Sequence, residues 1–459
     1  MGNTPIYMHQ RAHTPRTRFR LGVALLAVIL LSALALAGTP AAHAQGLAHK
    51  LPENVSLDLR LRYEFEEKGN FPNAGSAGTV MTRAGYLYKH SDTTQAFAEL
   101  EGVFAAITDY NDTTSLSGWF EYPAIQDPDG YGLNQAYVSF VAPMEIHFVA
   151  GRQRLSFANE RHIGPDLWRQ NDRTFDSAMV SGQFLESTDL DTIFSDIRIK
   201  YAYVFGVNQP DFEHRDIEAQ LFDLEFAMWS SKKTRVGFYS YLIDDNDFNR
   251  FMAHDLTSAT FGWRYQREYR PINGHAMLFM EAAMQDNYQA KPEYNNDPRF
   301  LDKGTEYYLM AGEYRLGTFK VSGGYEVFTS TSRVFTPSGT TLYYAFQTPW
   351  ASNNNFNGWR DGIEIGGTNT DFTIPMMGLN HLFVTVEGNL WGTDWLFAYH
   401  RSRPENTQFG HSYGPEFNVG LKREITREST LGLRFIAYDD DFAPFNDVRR
   451  AIVYYEASF

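Results

Sequence analysis

The stretch VSLDLRLRYEFE, residues 55–66, sets an aliphatic or aromatic side chain at every odd position and Ser, Asp, Arg, Arg, Glu and Glu at the even ones. Side chains in a strand alternate between two faces, so a period of two predicts a β-strand whose faces meet different surroundings. Two surroundings produce that contrast: a soluble sheet over a core, or a barrel wall between lipid and water. Similar alternation recurs to the last residue in about eighteen segments, a repetition expected of a large barrel. They begin near Val55, Thr79, Thr93, Tyr131, Glu145, Thr174, Ser195, Asp216, Thr234, Leu256, Asn273, Thr305, Thr318, Gly378, Thr393, Tyr413, Glu428 and Val448.

The connections separate the two cases. Long ones, at 67–78, 108–130, 155–173, 244–255, 286–304, 330–377, 401–412 and 439–447, alternate with short ones near Ser91, Pro143, Ser230, Arg270, Gly317, Gly392 and Thr426. A soluble sandwich has no reason to keep that rule. A transmembrane antiparallel up-and-down β-barrel does, with short periplasmic turns, long extracellular loops and an even strand count. The expected fold is therefore all-β, a barrel of about eighteen strands, wide enough to leave an aqueous channel. Lipid also forces closure, because an open edge would leave backbone groups unpaired.

Composition agrees. Aromatic residues make up 15% of the 459, with 27 Tyr and 36 Phe, yet no long apolar run follows the first forty residues. Residues 1–45 read as a cleaved signal peptide: Arg11, Arg16, Arg18 and Arg20 precede an apolar run from Leu21 to Ala37, and Ala42-His43-Ala44 supplies small residues for cleavage. Residues 46–459 are then one barrel domain in the outer membrane of a Gram-negative cell. The net charge is −15, and removal of a leader with four Arg and no acids makes it −19, which argues against nucleic acid as a partner. With no cysteine, thiolate metal sites and Cys nucleophiles are excluded. The last strand, VRRAIVYYEASF, keeps Ala451, Val453, Tyr455, Ala457 and Phe459 on one face, and its terminal Phe resembles the signature read by the barrel-assembly machinery.

Parity assigns the lining. If Val55, Leu57, Leu59, Leu61, Tyr63 and Phe65 face lipid, then Asp58, Arg60, Arg62, Glu64 and Glu66 face water. The same test turns Arg83, Glu99, Glu101, Arg198, Lys200, Arg264, Lys320, Glu326 and Arg434 inward. A lining of both signs gives a transverse field that orients a polar solute.

One window breaks the strand pattern: GRQRLSFANERHIGPDLWRQNDRTFDSAMV, residues 151–180. Its Gly151-Arg152-Gln153, Glu160-Arg161, Ile163-Gly164, Trp168, Arg173 and Phe175-Asp176 resemble motifs of the alginate export family of outer-membrane porins. The patch FQTPWASNNNFNGWRDG, residues 346–362, with Pro375 and Gly378-Leu379, is similar to that family's stretch before a late strand. The resemblance implies an eighteen-stranded barrel whose arginine-rich constriction passes an anionic polysaccharide such as alginate out of the cell by passive diffusion, with periplasmic export components as further partners. Carried over by position, it implies roles for Arg152, Gln153, Arg161, Arg173, Asp176, Arg360 and Asp361. Arginine suits this, since its planar fork pairs carboxylates bidentately and keeps its charge. Trp350 and Trp359, in the long loop, are candidates to stack on sugar faces. The alternatives are an uptake porin for small organic acids or sugars, an outer-membrane hydrolase, and a receptor.

Motifs for chemistry are missing. No GxSxG, HExxH or phosphate-loop pattern occurs, so no enzyme activity and no cofactor are expected. Asp245 and Asp247 start an acidic run with a calcium-loop look, but the twelfth position is Leu256 rather than Glu, and the run from Asp439 reaches Arg450.

Overall fold

A computed structural model describes residues 51–459 except 114–120, 186–193, 230–232, 246–256, 289–303, 336–339, 361–373, 408–411 and 442–446. The signal-peptide expectation for residues 1–45 lies outside the described residues. The chain runs through β1 (Val55–Lys68), β2 (Gly75–Lys89), β3 (Thr94–Asp109), β4 (Gly130–Ala142), β5 (Ile146–Gln153), β6 (Thr174–Phe184), β7 (Phe194–Asn208), the two-residue β8 (His214–Arg215), β9 (Ile217–Met228) and β10 (Thr234–Asp245). It continues through β11 (Ser258–Tyr269), β12 (His275–Asp286), β13 (Thr305–Leu316), β14 (Phe319–Phe328), a separate hairpin of β15 (Ser330–Phe335) and β16 (Thr340–Ala345), then β17 (Leu379–Leu390), β18 (Thr393–Arg403), β19 (Gly414–Thr426), β20 (Ser429–Tyr438) and β21 (Val448–Ser458).

Apart from β8 and the β15–β16 hairpin, eighteen strands pair antiparallel with their neighbours, and β21 closes on β1 with Asp58 opposite Ser458 and Lys68 opposite Val448. No α-helix occurs among the described residues. Closure removes both sheet edges, the condition for a sheet to sit in hydrocarbon. The fold is a closed eighteen-stranded transmembrane barrel, as the alternation and the loop rule predict. The β15–β16 hairpin is the element they miss: it rises from the long loop after β14 and, among the described residues, its strands pair only with each other.

Parity holds along the wall. In β1 the side chains of Arg62, Glu64 and Glu66 are buried within the barrel, whereas Leu61 is 42% exposed on the outside. Leu100, Phe104, Val138, Phe140, Phe261, Trp263, Tyr325 and Phe397 face outward in the same manner. Leu61 sits at the middle of β1, so Leu61→Arg is expected to cost about 2–4 kcal/mol, the penalty for a lipid-facing arginine near the midplane. Urea-titrated folding into liposomes measures it.

The apolar core lies inside the barrel. Leu155, Phe157 and Ile163 from the connection after β5, with Phe346, Trp350 and Ile374 from that after β16, pack on Val204, Leu221, Tyr239, Tyr307, Leu309 and Phe328 of the wall. Two connections have therefore folded into the lumen.

Candidate functional site

The first inward segment, residues 154–173, leaves β5 at a point where only glycine fits. Gly151 has φ +124°, and a Cβ there would stand 2.2 Å from the carbonyl oxygen of Ala136. The chain then reverses tightly: Glu160 N–H donates to Phe157 O (2.9 Å) and Phe157 N–H to Ile163 O (3.1 Å). The second inward segment, residues 346–360, meets it along a short parallel contact. Gly164 N–H donates to Trp350 O at 2.7 Å, Ser352 N–H donates to Glu160 O at 3.1 Å, and the Ser352 hydroxyl donates to the Glu160 carboxylate at 2.8 Å. Gly164 permits this approach, since a Cβ would lie 2.4 Å from Ser352 Oγ.

Ion pairs fasten the first segment to opposite walls. On the β1 side, Arg62 donates to Trp168 O (2.5 Å), Arg60 to Arg169 O (2.8 Å), and Arg169 pairs Glu64 (3.1 Å). Glu64 also receives Arg62 (2.5 Å) and Arg450 (3.2 Å), with Asp127 3.5 Å from Arg62. Arg83 pairs Glu101 and Asp172, the latter at 3.0 Å, and Arg154 pairs Asp172 and Glu99. Across the lumen, His162 lies 2.9 Å from Glu281, which also accepts from Tyr239 Oη (2.7 Å). Arg161, wholly buried, pairs Glu326 at 3.0 Å, donates to Asn357 Oδ1 of the second segment at 2.9 Å, and lies over Phe328 and Phe356. Burial opposes the Arg161 charge, and the Glu326 carboxylate more than offsets it, holding the guanidinium above its ordinary pKa.

The second segment is held near β19. The backbone N–H of Trp359 donates to Glu416 (2.6 Å), Arg360 lies 3.6 Å from that carboxylate and 3.7 Å over Tyr438, and Arg450 donates to Trp359 O (3.0 Å). The two segments face each other through Trp168 and Trp359, with ring centroids 5.8 Å apart. Arg434 of β20 lies here, 4.3 Å from the Trp168 ring, 5.6 Å from Trp359 and 4.8 Å from Tyr454. Among the described residues no carboxylate reaches it. On the side of the short turns, Trp359, Arg434 and Tyr454 open into a recess of about 510 Å³, with Lys320, Glu387 and Lys422 further along its wall.

The residues selected by sequence lie in several different places. Arg60, Arg62, Arg83, Arg198, Arg264 and Arg434 face the lumen, with Arg198 paired to Asp196 (3.2 Å) and Arg264 to Asp223 (2.5 Å). Arg161, Arg173 and Arg360 lie on the inward segments and tie them down; Arg173 donates to Gln209 (3.1 Å) and to the carbonyls of Gly164 and Ala351. Gln153 is buried and reaches the Val149 and Ser177 carbonyls. The pore-lining expectation fails for Arg152 and Asp176, which share the outward parity of Phe148 and Ala178 near the upper ends of β5 and β6. They pair bidentately at 2.8 and 3.0 Å, beside a bulge between Asp176 and Ser177 that shifts the register. Asp361 and Asp247 lie outside the described residues, and Asp245 is buried with its N–H donating to Thr257. Among the described residues no group of three or more carboxylate or imidazole side chains could hold a metal ion.

Sequence reading also misplaces Trp350, which is buried against Phe175 and offers no ring to a solute. It passes over the stacked His381 and His400, nineteen residues apart in the chain but diagonal neighbours in the β17–β18 register. That register could be derived from the turn at Trp391-Gly392.

The geometry defines a class: a wide transmembrane barrel narrowed by two inward connections that leave an arginine at the gap between them. The sequence matches no family model and no curated protein. In structure the chain is similar to porins of Pseudomonas aeruginosa. It matches OpdK with vanillate at TM-score 0.60 and 12% identity over 89% of this chain and 99% of that one. OccK9 (OpdG) matches at 0.61 and 12% over 88% and 98%, and OccK2 (OpdF) in complex with glucuronate at 0.59 and 10% over 88% and 96%. These likenesses overturn the alginate-export resemblance and with it the polysaccharide-export function. The physical reason is visible in the lumen: the windows that carried the resemblance are the inward segments themselves, packed with apolar side chains and buried ion pairs where an exporter would need room for a polymer.

Proposed function

We propose that the chain is an outer-membrane channel for the inward diffusion of small acidic solutes, delivered by a cleaved signal peptide at residues 1–45 and performing no chemistry. The observation that carries this reading is Arg434, a guanidinium without a carboxylate partner where Trp168 and Trp359 face each other. Nearly every other cation named above is committed to a carboxylate, so this one is free to pair a passing anion, and the arginine fork suits a carboxylate. The recess beside it, about 510 Å³, has room for a small ligand. Vanillate and glucuronate, held by two of the similar porins, are both small carboxylates. Arg60 and Arg62 on β1, separated from Arg434 by β21, also face the lumen on this side of the wall.

Planar-bilayer recording with vanillate and glucuronate tests it. Each is expected to interrupt the chloride current as it occupies the gap, while long uronate oligomers fail to enter. Arg434→Gln should weaken that interruption about tenfold, the equivalent of losing one charge-assisted hydrogen bond worth ~1.4 kcal/mol. Unchanged block in Arg434→Gln removes the residue from the reading, and passage of long oligomers removes the reading itself.

A further inference from the structure

Behind the gap, five buried side chains, Arg161 of the first inward segment and one each from β13, β14, β17 and β18, form a hydrogen-bonded line. Oε2 of Glu326 accepts from Arg161 (3.1 Å) and from Tyr307 Oη (3.1 Å), and Oε1 lies 2.7 Å from Nδ1 of His381. Nε2 of His381 lies 3.0 Å from Nδ1 of His400, and the two rings stack 5.1 Å apart at 6°. Beyond His400 stands Glu416, its cross-strand partner, which holds Arg360. The histidine pair thus sits between two carboxylates, each committed to an arginine from a different inward segment.

Donor and acceptor counting defines the resting state. Glu326 as carboxylate only accepts, so His381 Nδ1 carries the hydrogen; its Nε2 is then an acceptor and receives the Nδ1 hydrogen of His400. With both rings uncharged, the negative charges of Glu326 and Glu416 are left to Arg161 and Arg360. A proton added to the pair creates an imidazolium that faces Glu326, Tyr307 and Arg161 on one side and Glu416 and Arg360 on the other. The two rings touch, so only one can carry the charge comfortably, and it has no uncommitted carboxylate to meet. It must compete with an arginine.

We propose that the His381–His400 pair is a proton-operated latch on the constriction: a proton gained by the pair draws Glu326 and Glu416 away from Arg161 and Arg360 and loosens both inward segments. The latch rests on the barrel being an aqueous channel and not on which solute passes. Its test therefore uses potassium chloride alone, so that its failure is distinct from failure of the acidic-solute reading.

Single channels are recorded from about pH 7.5 down to about pH 3, past the interval in which histidine ordinarily gains its proton, because burial and the nearby Arg360 oppose a charge on the pair. In the wild-type barrel, transitions between conductance levels should become several-fold more frequent at the acid end. In the His381→Gln/His400→Gln barrel, where amides keep the hydrogen bonds but take no proton, the frequency should stay at its neutral value throughout. A wild type with no acid response, or a double variant that responds like the wild type, overturns the latch. Hydrogen exchange of the wild type, corrected for the intrinsic rate at each pH, supplies a measurement that needs no variant. Protection of residues 154–173 and 346–360 should fall at acid pH while that of the wall strands persists, and unchanged protection of those segments overturns the proposal equally.

Discussion

Arg161→Met is expected to destabilise the barrel by about 3–5 kcal/mol, because removing one partner of a buried ion pair leaves the other charge uncompensated. The position is unusually exposed to that penalty. Arg161 has no solvent contact, and its guanidinium is the shared fastening of the first segment, wall strand β14 and the second segment through Glu326 and Asn357. Methionine fits the surrounding Phe328, Phe356 and Tyr307, so the loss reflects charge more than volume. His381 and Tyr307 still touch the abandoned Glu326, but neither replaces a full positive charge. The double variant Arg161→Met/Glu326→Gln should recover more than half of the loss, since the neutral amide keeps a hydrogen bond to each neighbour and no buried charge remains. Urea-titrated folding into liposomes measures both, and bilayer recording should show the single variant with larger, noisier current as the segments come away from the wall. Equal losses in the single and double variants would assign the effect to packing.

That a fastening at Glu326 exists was only half legible in the chain. The parity of Phe319, Val321 and Tyr325 turns Lys320 and Glu326 inward, and the structure agrees. Strand alternation therefore assigns faces, because each side chain's surroundings follow from its neighbours two residues away. It cannot say what meets a face. Arg161 lies 165 residues from Glu326 and has no period at all, since the inward segment is irregular backbone held by contacts from many strands. For the same reason the Gly151-Arg152-Gln153 and Arg173-x-Phe175-Asp176 motifs mislead. They mark where strand ends turn the chain inward or pair at the rim. Arg152 and Asp176 carry outward parity in the sequence itself, and that local signal proves the better guide than the motif. Trp350 and Trp359 show the opposite limit: both are aromatic residues of one loop, and only packing separates a core ring from one beside the gap.

The other large effect is expected at Glu64. Arg62, Arg169 and Arg450 converge on its carboxylate from β1, from the first inward segment and from β21, at 2.5, 3.1 and 3.2 Å. Three guanidiniums cannot share so small a volume without an anion, and the nearby Asp127 and Glu66 carry only part of the balance. Glu64→Gln keeps the shape and removes the charge, so the cost is electrostatic: about 3 kcal/mol, the lower end for breaking a buried pair, because those two acids remain. The released arginine has somewhere to go. Arg62 and Arg169 stand where the first segment crosses toward Trp168 and the gap, so the excess positive charge should appear in the lumen next to Arg60 and Arg434. Reversal potentials in a potassium chloride gradient should therefore move toward the chloride value while the urea midpoint falls. A fall in midpoint with no change in reversal potential would mean that the Glu64 cluster only holds the segment in place and contributes nothing to the field that a solute crosses.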